Sequence, residues 1–154
     1  MLDPREAAIN LSGTTAGDLI LGTQFDDTVA GGTGRDVIDG GAGDDRLSGR
    51  PGSDTLAGGE GKDVLNGGAS NDVLSGGAGR DVFVFAASSG SDRIEDFELG
   101  LDKLNLRSFH FADATAALSH FSQSIDGAAF SFGGVSVLLT GVDLTPIDGS
   151  ALLV

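Results

Sequence analysis

The sequence predicts an all-β fold in which short strands and tight turns stack as a solenoid. Six consecutive nine-residue blocks begin at glycine residues, namely Gly31, Gly40, Gly49, Gly58, Gly67 and Gly76. Each block has a glycine-rich first half, Asp at the sixth place and a large apolar residue at the eighth. A short fixed period of this kind is typical of repeat proteins, in which each unit packs mainly on its neighbours.

The two halves of each block favour different local structures. Glycine at the first, second and fourth places permits backbone torsions that other residues avoid, so consecutive carbonyl groups can face into a turn. The residues after the Asp then form a short strand whose eighth-place side chain points inward. A flexible glycine-rich linker is the competing interpretation. It is disfavoured because linkers seldom keep an apolar residue at a fixed phase, as this chain does at Val29, Ile38, Leu47, Leu56, Leu65, Leu74 and Phe83.

The turns combine the two kinds of oxygen that Ca²⁺ prefers. Calcium takes six to eight oxygen ligands, at about 2.3–2.6 Å, from carboxylates and backbone carbonyls alike. One inward side chain per nine residues is a thin core, and carboxylates stacked at strand spacing repel one another. We therefore expect calcium binding and folding to be one event.

The repeated pattern GGxGxDxUx resembles the calcium-binding nonapeptide of RTX proteins, such as RTX proteases, lipases and alginate epimerase modules. This resemblance implies a right-handed parallel β-roll in which two nonapeptides make one coil, so that turns stack on alternating edges. It implies about four to six calcium ions. The implied carboxylate ligands are Asp18, Asp36, Asp54 and Asp72 on one edge and Asp27, Asp45, Asp63 and Asp81 on the other. The implied carbonyl ligands are those of Gly32, Gly34, Gly41, Gly43, Gly59, Gly61, Gly77 and Gly79.

Several blocks depart from the pattern. Arg50 replaces the second glycine of one block, and Ser70 replaces the fourth glycine of another. We expect these substitutions to weaken the sites without removing them. The blocks that begin at Gly13 and Gly22 lack most of the glycines, which is typical of terminal repeats that cap a solenoid.

The pattern divides the chain into three regions. Residues 1–12 are predicted to be a leader or linker, residues 13–85 the roll, and residues 86–154 a β-rich C-terminal cap. The segment FVF at the end of the roll and the later segments RIEDF and DKLNL predict strands. FADATAALSHF predicts a short helix, and GAAFSF and VSVLLTGV flank a glycine pair as a hairpin.

Composition excludes several functions. The net charge is −14, which disfavours nucleic acid and anionic membranes as partners. Cysteine is absent, and no apolar run is long enough to span a membrane. His110 and His120 lack the spacing of a metal site, and no catalytic constellation is present, so we expect no enzymatic activity. Asp92, Asp96 and Asp102 lie after the repeats, either as ligands of a further ion or as turn-forming residues.

The resemblance also implies a role and a location. RTX modules are exported by a one-step ABC-type transporter that reads an uncleaved C-terminal signal, which accounts for the lack of an N-terminal signal peptide in MLDPREAAIN. The expected protein is a secreted calcium-binding module that folds outside the cell and stabilises or chaperones an exported partner. It is either a module excised from behind a catalytic domain or a small protein by itself. The final ALLV segment is expected to be an export signal, a strand that covers the roll, or both.

The alternative function is a carbohydrate-binding module of an enzyme that modifies extracellular polysaccharides. An anionic glycan would need a local basic patch on this acidic chain. The candidates are Arg35, Arg46, Arg50, Lys62 and Arg80.

Overall fold

The computed structural model describes residues 7–154. The first half of the predicted leader, residues 1–6, lies outside the described residues. The rest of the leader contains a strand at Asn10–Ser12, so the β structure begins just before the first predicted repeat.

The regular secondary structure of the described residues is almost entirely β, as predicted. The strands are β1 (Asn10–Ser12), β2 (Leu19–Thr23), β3 (Thr28–Ala30), β4 (Val37–Ala42), β5 (Arg46–Pro51), β6 (Thr55–Gly61), β7 (Val64–Ala69), β8 (Val73–Gly79), β9 (Val82–Val84), β10 (Ser91–Ile94), β11 (Lys103–Asn105), β12 (Phe121–Gln123), β13 (Gly127–Phe132), β14 (Val135–Thr140) and β15 (Leu152–Leu153). The helix α1 spans Ala114–Leu118, and single 3-10 turns lie at Arg107–Phe109 and Gly149–Ala151.

Successive strands alternate between two sheets. The seven-stranded sheet has the order β1-β3-β5-β7-β9-β11-β15, and the eight-stranded sheet has the order β12-β13-β14-β10-β8-β6-β4-β2. Every pair from β1 to β11 is parallel, because each strand pairs with the strand one full coil later. This topology is the predicted parallel β-roll.

The core of the roll is a stack of eighth-place side chains between the two sheets. In the eight-stranded sheet Ile38 aligns with Leu56, and Leu56 with Leu74. In the seven-stranded sheet Leu47 aligns with Leu65. All of these side chains are buried. The predicted inward position is therefore confirmed, and the alternative of a flexible linker is wrong.

The C-terminal region packs differently. The predicted hairpin forms from β13 and β14, and Gly133 and Gly134 form its two-residue turn with φ of 61° and 86°. These left-handed values match the turn type that antiparallel hairpins prefer. The predicted helix is present as α1, and the Asp113 side chain caps it by accepting a hydrogen bond of 2.8 Å from the Ala116 amide.

The C-terminal strands continue both sheets of the roll. Strand β10 lies between β8 and β14, and β15 pairs with β11 at the end of the seven-stranded sheet. The division into a roll at 13–85 and a cap at 86–154 stays a prediction. Within residues 7–154, no helix is long and apolar enough to cross a membrane.

Candidate metal centre

Two columns of turns connect the sheets. We call edge 1 the column whose turns lead from the seven-stranded to the eight-stranded sheet, and edge 2 the column whose turns lead back. The sixth-place Asp residues of edge 1 are Asp18, Asp36, Asp54 and Asp72, and those of edge 2 are Asp27, Asp45, Asp63 and Asp81. The alternation that the resemblance implies is the alternation observed.

Within each column the Asp side chains form a hydrogen-bonded ladder. On edge 1 the Asp36 amide donates to Asp54 Oδ1 at 2.8 Å, and on edge 2 the Asp45 amide donates to Asp63 Oδ1 at 2.8 Å. The same contact joins every pair of repeat turns that lie 18 residues apart, at 2.7–2.9 Å. One oxygen of each carboxylate therefore ties a coil to the preceding coil.

Both ladders continue past the nonapeptides. The Asp72 amide donates to Asp92 Oδ1 at 2.9 Å, across 20 residues, and the Asp81 amide donates to Asp102 Oδ1 at 3.0 Å, across 21 residues. The nine-residue frame does not reach these positions. The signal that does is local, because Asp92 and Asp102, like the repeat Asp residues, are followed two places later by a buried apolar residue.

The second oxygen of most ladder residues has no partner. The Oδ2 atom is buried and accepts no hydrogen bond in Asp36, Asp45, Asp54, Asp63, Asp72, Asp81 and Asp92. These seven residues are at most 4% exposed. A buried carboxylate oxygen without a donor is costly, so this arrangement calls for a cation.

The pKa values point the same way. Burial raises the pKa of Asp63 and of Asp72 to about 6, and the pKa of Asp92 to about 7. Burial also raises the pKa of Asp45, Asp54, Asp81 and Asp102. Hydrogen bonds from backbone amides oppose this increase, and neighbouring carboxylates add to it. The ionised columns are therefore unfavourable without a counter-charge.

The turn backbones are left-handed where the pattern requires it. In the six nonapeptides, φ at the second place runs from 72° at Arg50 to 114° at Gly32, and φ at the fourth place runs from 92° at Ser70 to 159° at Gly52. Arg50 and Ser70 therefore adopt the torsions of the glycines they replace. Adjacent turns also touch closely, since a Cβ added at Gly59 would lie 1.9 Å from the Gly41 carbonyl oxygen.

The donor set fits a hard cation bound largely by the backbone. Among residues 7–154, no three His, Cys, Asp or Glu side chains converge as a metal-binding group. Each of the six glycine-rich turns instead offers one buried carboxylate and a glycine-rich backbone, so carbonyl groups would have to supply the remaining oxygens. Calcium accepts this mixture, whereas zinc favours nitrogen and sulfur ligands.

The repeats match a known family. The model of the RTX calcium-binding nonapeptide repeat (4 copies) matches residues 12–47, 21–56 and 48–83. Residues 12–83 are RTX repeats. No curated protein sequence matches the chain.

Three solved structures are similar to the chain. The AlgE6R2 subunit of the Azotobacter vinelandii mannuronan C5-epimerase is 26% identical with a TM-score of 0.57, covering 93% of this chain and 91% of that one. The AlgE6R3 subunit is 25% identical with a TM-score of 0.43, covering 90% and 84%. The extracellular lipase LipA from Serratia marcescens is 16% identical with a TM-score of 0.47, covering 96% of this chain. This chain spans 40% of the lipase.

Asp18 and Asp27, at the start of the RTX array, differ from the later ladder residues. Asp18 Oδ2 accepts from the Thr14 amide at 2.6 Å, and Asp27 Oδ2 accepts from the Thr23 amide at 2.6 Å. Their turns therefore satisfy the oxygen that the later turns leave without a donor.

Asp96, at the other end of the array, binds backbone. Its carboxylate accepts from the Gly76 and Gly77 amides at 3.0 and 2.9 Å and from Ser75 Oγ at 2.6 Å. Asp102 Oδ2 likewise accepts from the Glu98 amide at 2.8 Å. Of the three acids after the repeats, only Asp92 keeps a buried oxygen without a hydrogen bond.

The candidate basic residues are divided between the two edges of the roll and strand β5. Arg35 and Arg50 lie in turns of edge 1, Lys62 and Arg80 lie in turns of edge 2, and Arg46 begins β5. Lys62 lies 3.9 Å from the carboxylate of Asp44, measured from Nζ to Oδ2.

The two histidines lie away from both columns of turns. His120 packs edge-on against Phe132 with ring centroids 4.7 Å apart. His110 follows the 3-10 turn at Arg107–Phe109 and is exposed.

Proposed function

We propose that the protein is a calcium-dependent folding module, in which ions bound in the turns of both edges hold the coils of the roll together. The observation that carries this proposal is the set of seven buried Oδ2 atoms without a hydrogen bond, stacked beside left-handed glycine turns. Calcium would neutralise these carboxylates and link neighbouring turns.

The proposed ligands follow the repeat. The carboxylates are those of Asp36, Asp45, Asp54, Asp63, Asp72 and Asp81, joined by Asp92 at the end of edge 1. The proposed carbonyl ligands are those of Gly32, Gly34, Gly41, Gly43, Gly59, Gly61, Gly77 and Gly79, which lie at second and fourth places of complete turns. About four to six ions would be bound, each shared between turns of one edge.

We further propose that the module is exported by a type I secretion machinery and folds on meeting calcium outside the cell, where it stabilises an exported partner. The RTX repeats support this route, as does a net charge of −14 that disfavours the compact state until cations bind. Export reads the unfolded chain, so Leu152 and Leu153 can serve in the signal first and as strand β15 afterwards. Removal of residues 150–154 should abolish secretion through a matching transporter. Secretion at the full-length level would place the signal elsewhere.

A second candidate function is carbohydrate binding, which the similarity to the AlgE6R2 subunit of an epimerase favours. The candidate basic residues are split between two edges and a strand, so a polyanionic glycan finds less support than calcium. Titration of the calcium-loaded module with alginate oligosaccharides would test this candidate, and binding that Arg35→Ala or Lys62→Ala weakens would support it.

Circular dichroism with and without calcium tests the main proposal. Metal-free protein should give a largely disordered far-UV spectrum, and millimolar calcium should restore β signal cooperatively. Magnesium at equal concentration is the control, and it should not replace calcium because it demands a tighter octahedral shell and keeps its waters. Equal β content in the metal-free and calcium-loaded forms would contradict the proposal.

A further inference from the structure

Threonine occupies the second place of the first two turns, where the six later turns have glycine or Arg50. These turns are Gly13–Asp18, which contains Thr14, and Gly22–Asp27, which contains Thr23. Both threonines hydrogen-bond to the Asp four residues later. Thr14 donates to Asp18 Oδ2 from its amide at 2.6 Å and from Oγ1 at 2.9 Å. Thr23 donates to Asp27 Oδ2 from its amide at 2.6 Å and to Asp27 Oδ1 from Oγ1 at 3.1 Å.

Each threonine hydroxyl also closes its own turn. The Ala16 amide donates to Thr14 Oγ1 at 3.2 Å, and the Phe25 amide donates to Thr23 Oγ1 at 3.1 Å. Side-chain hydroxyls of this kind offer backbone groups an alternative to other partners. The fourth-place amide, the hydroxyl and the carboxylate therefore form one local network in each turn.

The backbone of these two turns also differs from that of the later turns. Among the described residues, positive φ occurs only at glycines and at Arg50, Ser70 and His110. The second- and fourth-place residues of the first two turns, which are Thr14, Ala16, Thr23 and Phe25, are therefore outside the left-handed region. A turn with negative φ at both places cannot present its carbonyl groups as the glycine turns do.

The carboxylates of the two groups of turns thus face different conditions. In the later turns the Oδ2 atom is buried and has no donor. Asp27 is as buried as the later Asp residues, at 1% exposed, yet both of its oxygens accept hydrogen bonds, because the Ile9 amide also donates to Oδ1 at 2.7 Å. Burial alone therefore does not distinguish the Asp residues of the first two turns from those of the later turns. The difference is that Thr14 and Thr23 donate hydrogen bonds to the Asp residues of the first two turns.

We propose that the first two turns bind no calcium and that threonine takes its place there, so that the roll begins with a metal-free end on which the calcium-loaded turns stack. This inference rests on the proposed function for the later turns. A carboxylate that already accepts two hydrogen bonds gains less from a cation, and a cation would have to displace those donors. The ladder bond from the Asp27 amide to Asp45 Oδ1, at 2.7 Å, joins this end to the first calcium turns.

Counting the bound ions tests the proposal directly. The variant Asp18→Asn/Asp27→Asn and its matched control Asp36→Asn/Asp45→Asn remove the same charge one coil apart and keep the Oδ1 acceptor. Equilibrium dialysis of the full chain should give the wild-type ion count for the first variant and a lower count for the control. The calcium midpoint of β formation should change little in the first and rise about tenfold in the control, because ligand charge sets calcium affinity. Loss of an ion from the first variant would overturn the inference and leave the proposed function standing. A wild-type chain that binds no calcium would overturn the proposed function itself, and this inference with it.

The reverse experiment converts a threonine turn into a glycine turn. Thr23→Gly/Phe25→Gly gives the Gly22–Asp27 turn both missing glycines beside the complete turn of Asp45. We expect this variant to bind an additional calcium ion on edge 2. The matched control Thr14→Val/Thr23→Val removes both hydroxyls without adding glycine, and should keep the wild-type ion count with lower thermal stability of the loaded form. An unchanged count in the glycine variant, measured on protein that folds with calcium, would also overturn the inference.

Discussion

The carboxylates of the roll and those of the last part of the C-terminal region, residues 107–154, are hydrogen-bonded differently. In the roll, Asp63 and its column neighbours are buried and keep one oxygen without a donor. In the C-terminal region Asp113, Asp143 and Asp148 accept hydrogen bonds from backbone amides two or three residues away. The buried carboxylates of the roll, and Asp92 after it, therefore call for a cation, whereas these three acids are satisfied by hydrogen bonds within their own turns.

The roll also has a thinner apolar core than the C-terminal region. Each strand of the roll contributes one inward side chain between the sheets, whereas the C-terminal region packs a cluster of rings, in which Phe130 contacts Phe109, Phe111 and Phe121 at centroid distances of 5.3–6.2 Å. Aromatic side chains bury more area each than aliphatic ones. The region with the thinner core is thus the region whose turns call for metal.

The largest expected effect separates the carboxylates of the two regions. Asp63→Asn should weaken the ions on both sides of its turn, by about tenfold each and about 3 kcal/mol together, because the charge is lost while the ladder acceptor stays. Asp143→Asn in the C-terminal region and Asp39→Asn, which is exposed and outside the sixth place, are matched controls with the same charge change. Calcium titrations followed by circular dichroism would measure all three. A midpoint shift in either control as large as that of Asp63→Asn would contradict the assigned frame.

Acidification should favour the metal-free fold of the roll. Burial raises the pKa of Asp63 and Asp72 to about 6 and that of Asp92 to about 7, above the ordinary value of 3.8, so the folded state binds more protons than the unfolded state. Stability without metal should therefore rise as the pH falls from about 7.5 to about 5 and be lost as the pH rises through these values.

Metal-stripped protein, followed by circular dichroism across this range in buffers without chelator, would show the change. The C-terminal acids give the comparison. Hydrogen bonds from Thr145 lower the pKa of Asp143, and hydrogen bonds from Ser150 lower that of Asp148, so their contribution is lost only below about pH 4. Loss of β signal from the metal-free chain as the pH is lowered from about 7.5 to about 5 would contradict the predicted direction of the change in stability.

Removal of the N-cap of α1 should lower the stability of the protein without changing its calcium binding. Asp113→Ala removes the acceptor for the Ala116 amide and should destabilise the protein by about 1 kcal/mol. The ion count and the binding constants of the folded form should stay at wild-type values, and thermal unfolding in saturating calcium would measure the loss. Asp113→Asn, which keeps a capping oxygen, is the control and should recover most of the stability.

The smallest expected effect is a gain in stability. Ser70 holds φ of 92° in place of the fourth glycine of its turn. Ser70→Gly removes a left-handed strain of about 1–2 kcal/mol and costs up to about 1 kcal/mol in unfolded-chain entropy, so the net gain should be about 0.5 kcal/mol. Urea unfolding in saturating calcium would measure it. Ser124→Gly, at a position without positive φ, is the control and should not stabilise.

Much of the roll could be predicted because its structure is local and periodic. The frame of Gly31 to Phe85 predicted the inward column, and the resemblance to RTX repeats implied which Asp residues share an edge. The hydrogen bonds that join these Asp residues into ladders were not predicted and were found only in the structure. The hairpin of β13 and β14 was equally local, because a glycine pair selects its turn.

The sequence by itself therefore determined the repeating coil, the positions of its carboxylates and the chemistry of the ion they call for. Only the tertiary structure decided where each column ends. Asp92 and Asp102 join the ladders across 20 and 21 residues, because the loops after Phe85 and Phe97 change the spacing while the strands keep their alignment. Thr14 and Thr23 looked like lost glycines, and their hydroxyls are seen to be donors only once the turns are folded. The nine-residue period predicts only the contacts that repeat, whereas the ends of the two Asp columns depend on contacts that occur once in the structure.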